Sequence, residues 1–217
     1  MKNSATSKKQ LTILVSSTVY GIEELLDRIY TLLTTFGYEV WMSYKGTVPV
    51  FSNRSAMDNC LEATRKCDLF LGIITPRYGS GKESNGLSIT HQELLLAIKE
   101  DKPRWLLTHD HVVFARSLLN NLGYKGKGGR AKLNLIEKKP ILEDLRVIDM
   151  YEDATQHQIP INERQGNWVQ EYGSTDDAAL FATAQFSRYQ EVESFLEENM
   201  KNIDRTVKAI KDKRDGQ

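Results

Sequence analysis

The chain has 217 residues and carries 29 Lys plus Arg against 29 Asp plus Glu. The absence of net charge excludes a whole-protein basic field of the kind that holds nucleic acid, and the length suits one domain with an appendage. Two cysteines, Cys60 and Cys67, make neither a disulfide framework nor a metal set, and no apolar run approaches the ~20 residues of a membrane span.

The polar, basic stretch from Met1 to Gln10 lacks the apolar region of a signal peptide and is expected to be disordered. A cytoplasmic protein is the expectation. Leu11 to Val15 is a short β-branched apolar run that reads as a first strand. From Ile22 to Phe36, apolar residues at Ile22, Leu25, Leu26, Ile29, Leu32 and Leu33 have helical spacing, and Gly37 is a suitable stop. Tyr38 to Met42 reads as a second strand. Lys45 to Ser55 is a loop, and Ala56 to Lys66 a helix with Met57, Cys60, Leu61 and Thr64 inward. Leu69 to Thr75, the most apolar run of all, has the signature of a central parallel strand covered on both faces. Pro76 to Gly86 is a loop, Thr90 to Glu100 a helix and Arg104 to Thr108 a fourth strand. This alternation argues for a parallel α/β sheet with right-handed crossovers.

The second half is less regular. Val112 to Leu122 looks helical, and Gly123 to Arg130 (GYKGKGGR) is read as a flexible basic loop. Leu145 to Met150 is a plausible fifth strand. Residues 151–175 are assigned mostly to loop, which gives a domain over 11–150. A long helical pattern then runs from Asp176 to Lys213. Its narrow stripe of Val192, Leu196, Met200, Ile203, Val207 and Ile210 suits packing on the domain or on a second copy, so a homo-oligomer is expected.

Chemistry-bearing residues gather after these strands, where open α/β sheets bind ligands. Ser16, Ser17 and Thr18 follow the first strand. They either leave backbone N–H groups for a phosphate or cap the next helix. After the central strand come Arg77, able to pair with phosphate, Tyr78, able to stack on a base, and Gly79. The nearby Gly79-Ser80-Gly81-Lys82 does not complete a phosphate-binding P-loop, because Pro76 and Glu83 occupy required positions. Glu93 has two readings. A carboxylate at the mouth of the sheet can attack or stabilise an anomeric carbon. Alternatively, Thr90-x-x-Glu93 matches a capping box. His109-Asp110-His111 offers two imidazoles, fewer than the three or four ligands a metal needs, so no metal site is expected. Lys125, Lys127 and Arg130 among glycines could clamp phosphate or RNA, but are read as part of a mobile loop, and Trp41, Trp105 and Trp168 as packing residues.

Taken together, Val15-Ser16-Ser17-Thr18, Cys67 to Ile74, Arg77-Tyr78-Gly79, Leu87 to Leu94, Ala97 and Lys102-Pro103 form a pattern. It resembles an uncharacterised bacterial domain-of-unknown-function family related to Toll/interleukin-1 receptor (TIR) domains, and it is similar to nucleoside 2-deoxyribosyltransferases. The pattern covers roughly Leu11 to Leu107. It departs from the resemblance at Gly21, where many members carry an acidic residue, and in lacking a counterpart of the transferases' substrate-gripping aspartate. The resemblance implies a flavodoxin-like, three-layer, doubly wound sheet of order 2-1-3-4-5 with a nucleotide-sized pocket. It implies that Glu93 is catalytic, that Ser88 lines the pocket, and that Ser16 and Ser17 meet phosphate or ribose. Arg77 or Tyr78 would close one side. The expected function is that of a nucleotide-binding TIR-like domain cleaving the N-glycosidic bond of NAD or a related nucleotide, by analogy in stress or phage defence. Such an enzyme would be an NAD glycohydrolase or a deoxyribosyltransferase-like N-glycosidase, without a cofactor. The alternative is a non-enzymatic nucleotide-sensing or self-assembly module. A membrane partner is not expected, and neither is nucleic acid.

Overall fold

The computed structural model describes residues 10–81, 86–133, 135 and 141–189. Five parallel strands form one sheet: β1 (Thr12–Ser17), β2 (Glu39–Trp41), β3 (Leu69–Ile74), β4 (Arg104–His109) and β5 (Val169–Tyr172), in the order β2-β1-β3-β4-β5. The helices are α1 (Glu23–Thr35), α2 (Ala56–Lys66), α3 (Ile89–Lys99), α4 (Asp110–Asn121), α5 (Gly126–Arg130), α6 (Arg146–Ala154) and α7 (Thr175–Phe186). This is the expected flavodoxin-like α/β architecture.

Because strand side chains alternate, β1 sends Ile13 and Val15 to one face and Leu14 to the other. Likewise β3 sends Leu69, Leu71 and Ile73 one way and Phe70 and Ile74 the other. The first face carries α1 and α7, with Leu26, Ile29, Leu33, Ala178, Ala182 and Phe186 in its core. The second carries α2, α3 and α6, with Ala63, Leu94, Ala97, Val147, Ile148 and Ala154. All six residues of β3 are buried, which explains its unbroken apolar run.

Four expectations for the second half are corrected. Leu145 to Met150 is not a strand. It leads into α6, because a short apolar run carries no period of its own and Val147, Ile148, Met150 and Ala154 are buried on a helix. The fifth strand is β5, inside the stretch expected to be loop. It pairs with β4 from Leu106↔Val169 to His109↔Tyr172. Being a four-residue edge strand with only Tyr172 fully buried, it leaves little hydrophobic signal. The GYKGKGGR segment ends in α5, and Arg130 is buried there: its guanidinium holds Asp149 at 2.5 Å and Glu152 at 2.6 Å on α6. Lys127 pairs with Asp153 at 3.3 Å. These two cations brace helices and are not held free for phosphate. Trp168, expected to pack, is exposed, whereas Trp105 packs tilted against Phe186 and edge-on against Tyr189.

Of the helical pattern expected from Asp176 to Lys213, the described residues show α7, which ends with Ser187 as its C-cap. The apolar stripe from Val192 to Ile210 lies outside the described residues, as does the segment before Gln10. Among the described residues no helix is long and apolar enough to cross a membrane.

Candidate functional site

The chain moves from β1 to β2 on one side and then crosses to β3 on the other, which leaves a crevice at the carboxyl ends of β1 and β3. Ser16 and Ser17 are the last two residues of β1 and sit in register with Gly72 and Ile73 of β3. Beyond them, Thr18 Oγ1 and Thr75 Oγ1 are 2.5 Å apart and tie the two strand ends together. Neither Ser17 nor Thr18 caps α1. That helix starts only at Glu23, after an elbow, and its N-cap position is Ile22 without a side-chain cap. The capping alternative for this hydroxyl cluster is thereby removed.

Glu93 is carried in by α3. The cap of this helix is not Thr90 but Ser88, whose hydroxyl accepts from the His91 N–H at 3.3 Å. Glu93 lies beyond the reach of a reciprocal box and turns towards the sheet, where Ser16 Oγ donates to its carboxylate at 2.5 Å. The Cys60 thiol of α2 hydrogen-bonds the same carboxylate. Burial pushes the Glu93 carboxyl up to about 7, against the pull of these two donors. Burial and the neighbouring Glu93 push the Cys60 thiol up to about 12, so it stays a protonated donor.

Glu93 and Cys60 line a cavity of about 340 Å³ together with Ser17, Thr18, Arg77, Gly79 and Thr90. Gly79 has φ +86°, and a Cβ there would come within 2.6 Å of Thr18 Cγ2, so the loop can close against β1 only with glycine. Arg77 is exposed at the mouth, and among the described residues its guanidinium makes no hydrogen bond or ion pair.

Of the residues expected at the site, the fold thus gathers Ser16, Ser17, Thr18, Arg77, Gly79 and Glu93. Tyr78 and Ser88 stand behind it. The Tyr78 ring is buried, its hydroxyl bonded to His91 Nδ1 at 2.8 Å, while His91 Nε2 meets Asp153 at 2.9 Å. Ser88 is wholly buried as the α3 cap. Neither side chain lines the cavity.

Sequence reasoning misses Cys60 and Glu143. The spacing of Cys60 marks it only as an inward residue of α2 and carries no sign that it ends beside Glu93. Glu143 lines the same cavity from the far side of the fold, and its carboxylate accepts from the Tyr78 N–H at 3.2 Å. No local signal announces it, because the contact spans 65 residues.

No curated protein matches this chain. A family pattern does match it, over residues 12–166, which is more than half of the chain and includes every element that frames the cavity. The chain belongs to the family described as "Domain of unknown function (DUF4062)".

Proposed function

We propose that this protein is a nucleotide-binding, TIR-like domain that hydrolyses the N-glycosidic bond of NAD or a related nucleotide. The observation that carries the reading is Glu93: a buried carboxylate opening into a nucleotide-sized cleft, with its own orienting donors. In this reaction the bond between C1′ of the ribose and the nicotinamide nitrogen breaks, and nicotinamide leaves with the bonding electrons as a neutral base. Glu93 stabilises the oxocarbenium character at C1′ or attacks it. Water then forms the new C1′–O bond and gives up a proton. A neutral leaving group needs no general acid, so one carboxylate suffices.

The remaining residues fit positioning roles. Ser16 fixes the Glu93 rotamer, Thr18 and Gly79 shape the wall, and Arg77 at the mouth is placed to meet phosphate oxygens. Glu93 pointing into the cleft rather than onto its own helix favours chemistry over a purely non-enzymatic sensing role.

The test is incubation of concentrated protein with NAD, following nicotinamide release, beside Glu93→Gln. Release by the wild type and at least a hundredfold less by Glu93→Gln is the expected result. Equal release by both, or NAD binding without release, would remove the hydrolase reading and leave a binding module.

A further inference from the structure

We infer that His109, Asp110 and His111, at the carboxyl end of β4, form a binding site for a divalent transition-metal ion. The sequence shows two histidines, and the third ligand is the aspartate between them. One ligand atom from each of the three lies within 4.8 Å of the others. His109 Nδ1 is 2.7 Å and His111 Nε2 3.9 Å from Asp110 Oδ1. Two ligand atoms that share an ion at about 2.1 Å are at most about 4.2 Å apart. Both contacts with Asp110 fall within that span, and the His111 side chain is half exposed and free to adjust.

Two independent features point to a ligand at this place. First, the Tyr172 hydroxyl, on the strand residue that pairs with His109, is buried and has no hydrogen-bond partner among the described residues. Its ring packs edge-on against His109, with centroids 5.3 Å apart. A buried hydroxyl left orphaned next to an imidazole is what the water shell of a bound ion would satisfy. Second, His109 and His111 line a cavity of about 240 Å³ with Arg77 and Glu143 on its walls. Open coordination positions would therefore face a space able to hold water or a phosphate oxygen. Gly173 also makes room: a Cβ there would stand 3.1 Å from Asp110 Oδ2.

Two imidazoles and one carboxylate with free positions suit Zn²⁺, Co²⁺ or Ni²⁺ better than Ca²⁺ or Mg²⁺, which prefer all-oxygen shells. Arg77 and Glu143 also border the Glu93 cleft, so an ion here would stand next to that cleft without touching Glu93. The site stands whether or not Glu93 is catalytic.

The experiment is calorimetric titration of the untagged full chain with Co²⁺ and with Zn²⁺, together with the visible absorption of the Co²⁺ form. The sequence holds four histidines, so His157→Ala is a matched control. The expected result is one ion per chain, with affinity at least tenfold weaker in His111→Ala and in Asp110→Asn and unchanged in His157→Ala. His109 Nδ1 also accepts from the His111 N–H as the cap of α4, a bond that an ion at Nδ1 would displace, so His111→Ala and Asp110→Asn are the deciding variants. No saturable binding, full affinity in His111→Ala, or loss in His157→Ala instead would each overturn the site.

Discussion

Glu93 is held by Ser16 and Cys60 in a place where burial disfavours its charge. Its carboxyl binds a proton more tightly in the folded protein than in the unfolded chain. Stability from this group is therefore fully present below the ordinary value of 4.5 and is lost as pH rises through about 7. A tenfold change in proton affinity corresponds to about 1.4 kcal/mol, so the cost of holding the anion at pH 8 is on the order of 3 kcal/mol. Glu93→Gln should accordingly melt several degrees above the wild type at pH 8, with the gap shrinking towards pH 5. A Gln variant no more stable at pH 8 would mean that Glu93 is not desolvated. The same ionisation sets the expected activity: if the anion acts on C1′, kcat/KM falls as pH drops through about 7. Ser16→Ala removes a donor to the anion, so that acidic limb should move to higher pH, as a rate profile would record. Glu93 was legible from the sequence as one of two alternatives. What decides between them is Ser88, two residues earlier than the expected cap, and no spacing rule separates a cap at 88 from one at 90.

At the scale of elements, α5 and α6 carry the most consequential departure from expectation. Arg130, read as a mobile cation, is buried between Asp149 and Glu152, and Arg116 adds a bond to Glu152 at 2.9 Å. The i,i+3 spacing of the two carboxylates puts both on one face of α6, a pattern visible only if the segment is taken as a helix. Arg130→Ala would strand the largely desolvated Asp149 and leave Glu152 with Arg116 alone, and should cost about 3 kcal/mol, read as a lower denaturant midpoint. Arg130→Lys, which keeps the charge but not the fork, should fall between the two. On α3, Ser88→Ala should cost about 1 kcal/mol through the lost cap, whereas Thr90→Val should leave stability nearly unchanged. Equal losses from both would contradict the cap assignment.

For the molecule as a whole, the first four strands and three helices were readable because burial on two faces writes long apolar runs and clean 3.6-residue stripes into the sequence. The edge of the sheet was not readable, because Val169–Tyr172 is short and half solvated and its pairing with β4 crosses some 60 residues of intervening chain. That edge lies outside the matched family region, which stops at residue 166. A protein ended at that boundary would keep Ser16, Arg77 and Glu93 but lose β5 and α7. The edge of β4 that faces β5, from Leu106 to His109, would be left unpaired, an open template for another chain. The face of α1 would lose Ala178, Ala182 and Phe186, and the Tyr38 hydroxyl its acceptor, the Phe186 carbonyl, at 3.1 Å. Such a fragment should aggregate or bind a hydrophobic dye, and a sharp melt of a monomeric 1–166 fragment would refute this. In this chain the matched region is thus an incomplete folding unit: the residues after 166 supply the last strand of the sheet and a helix that covers α1.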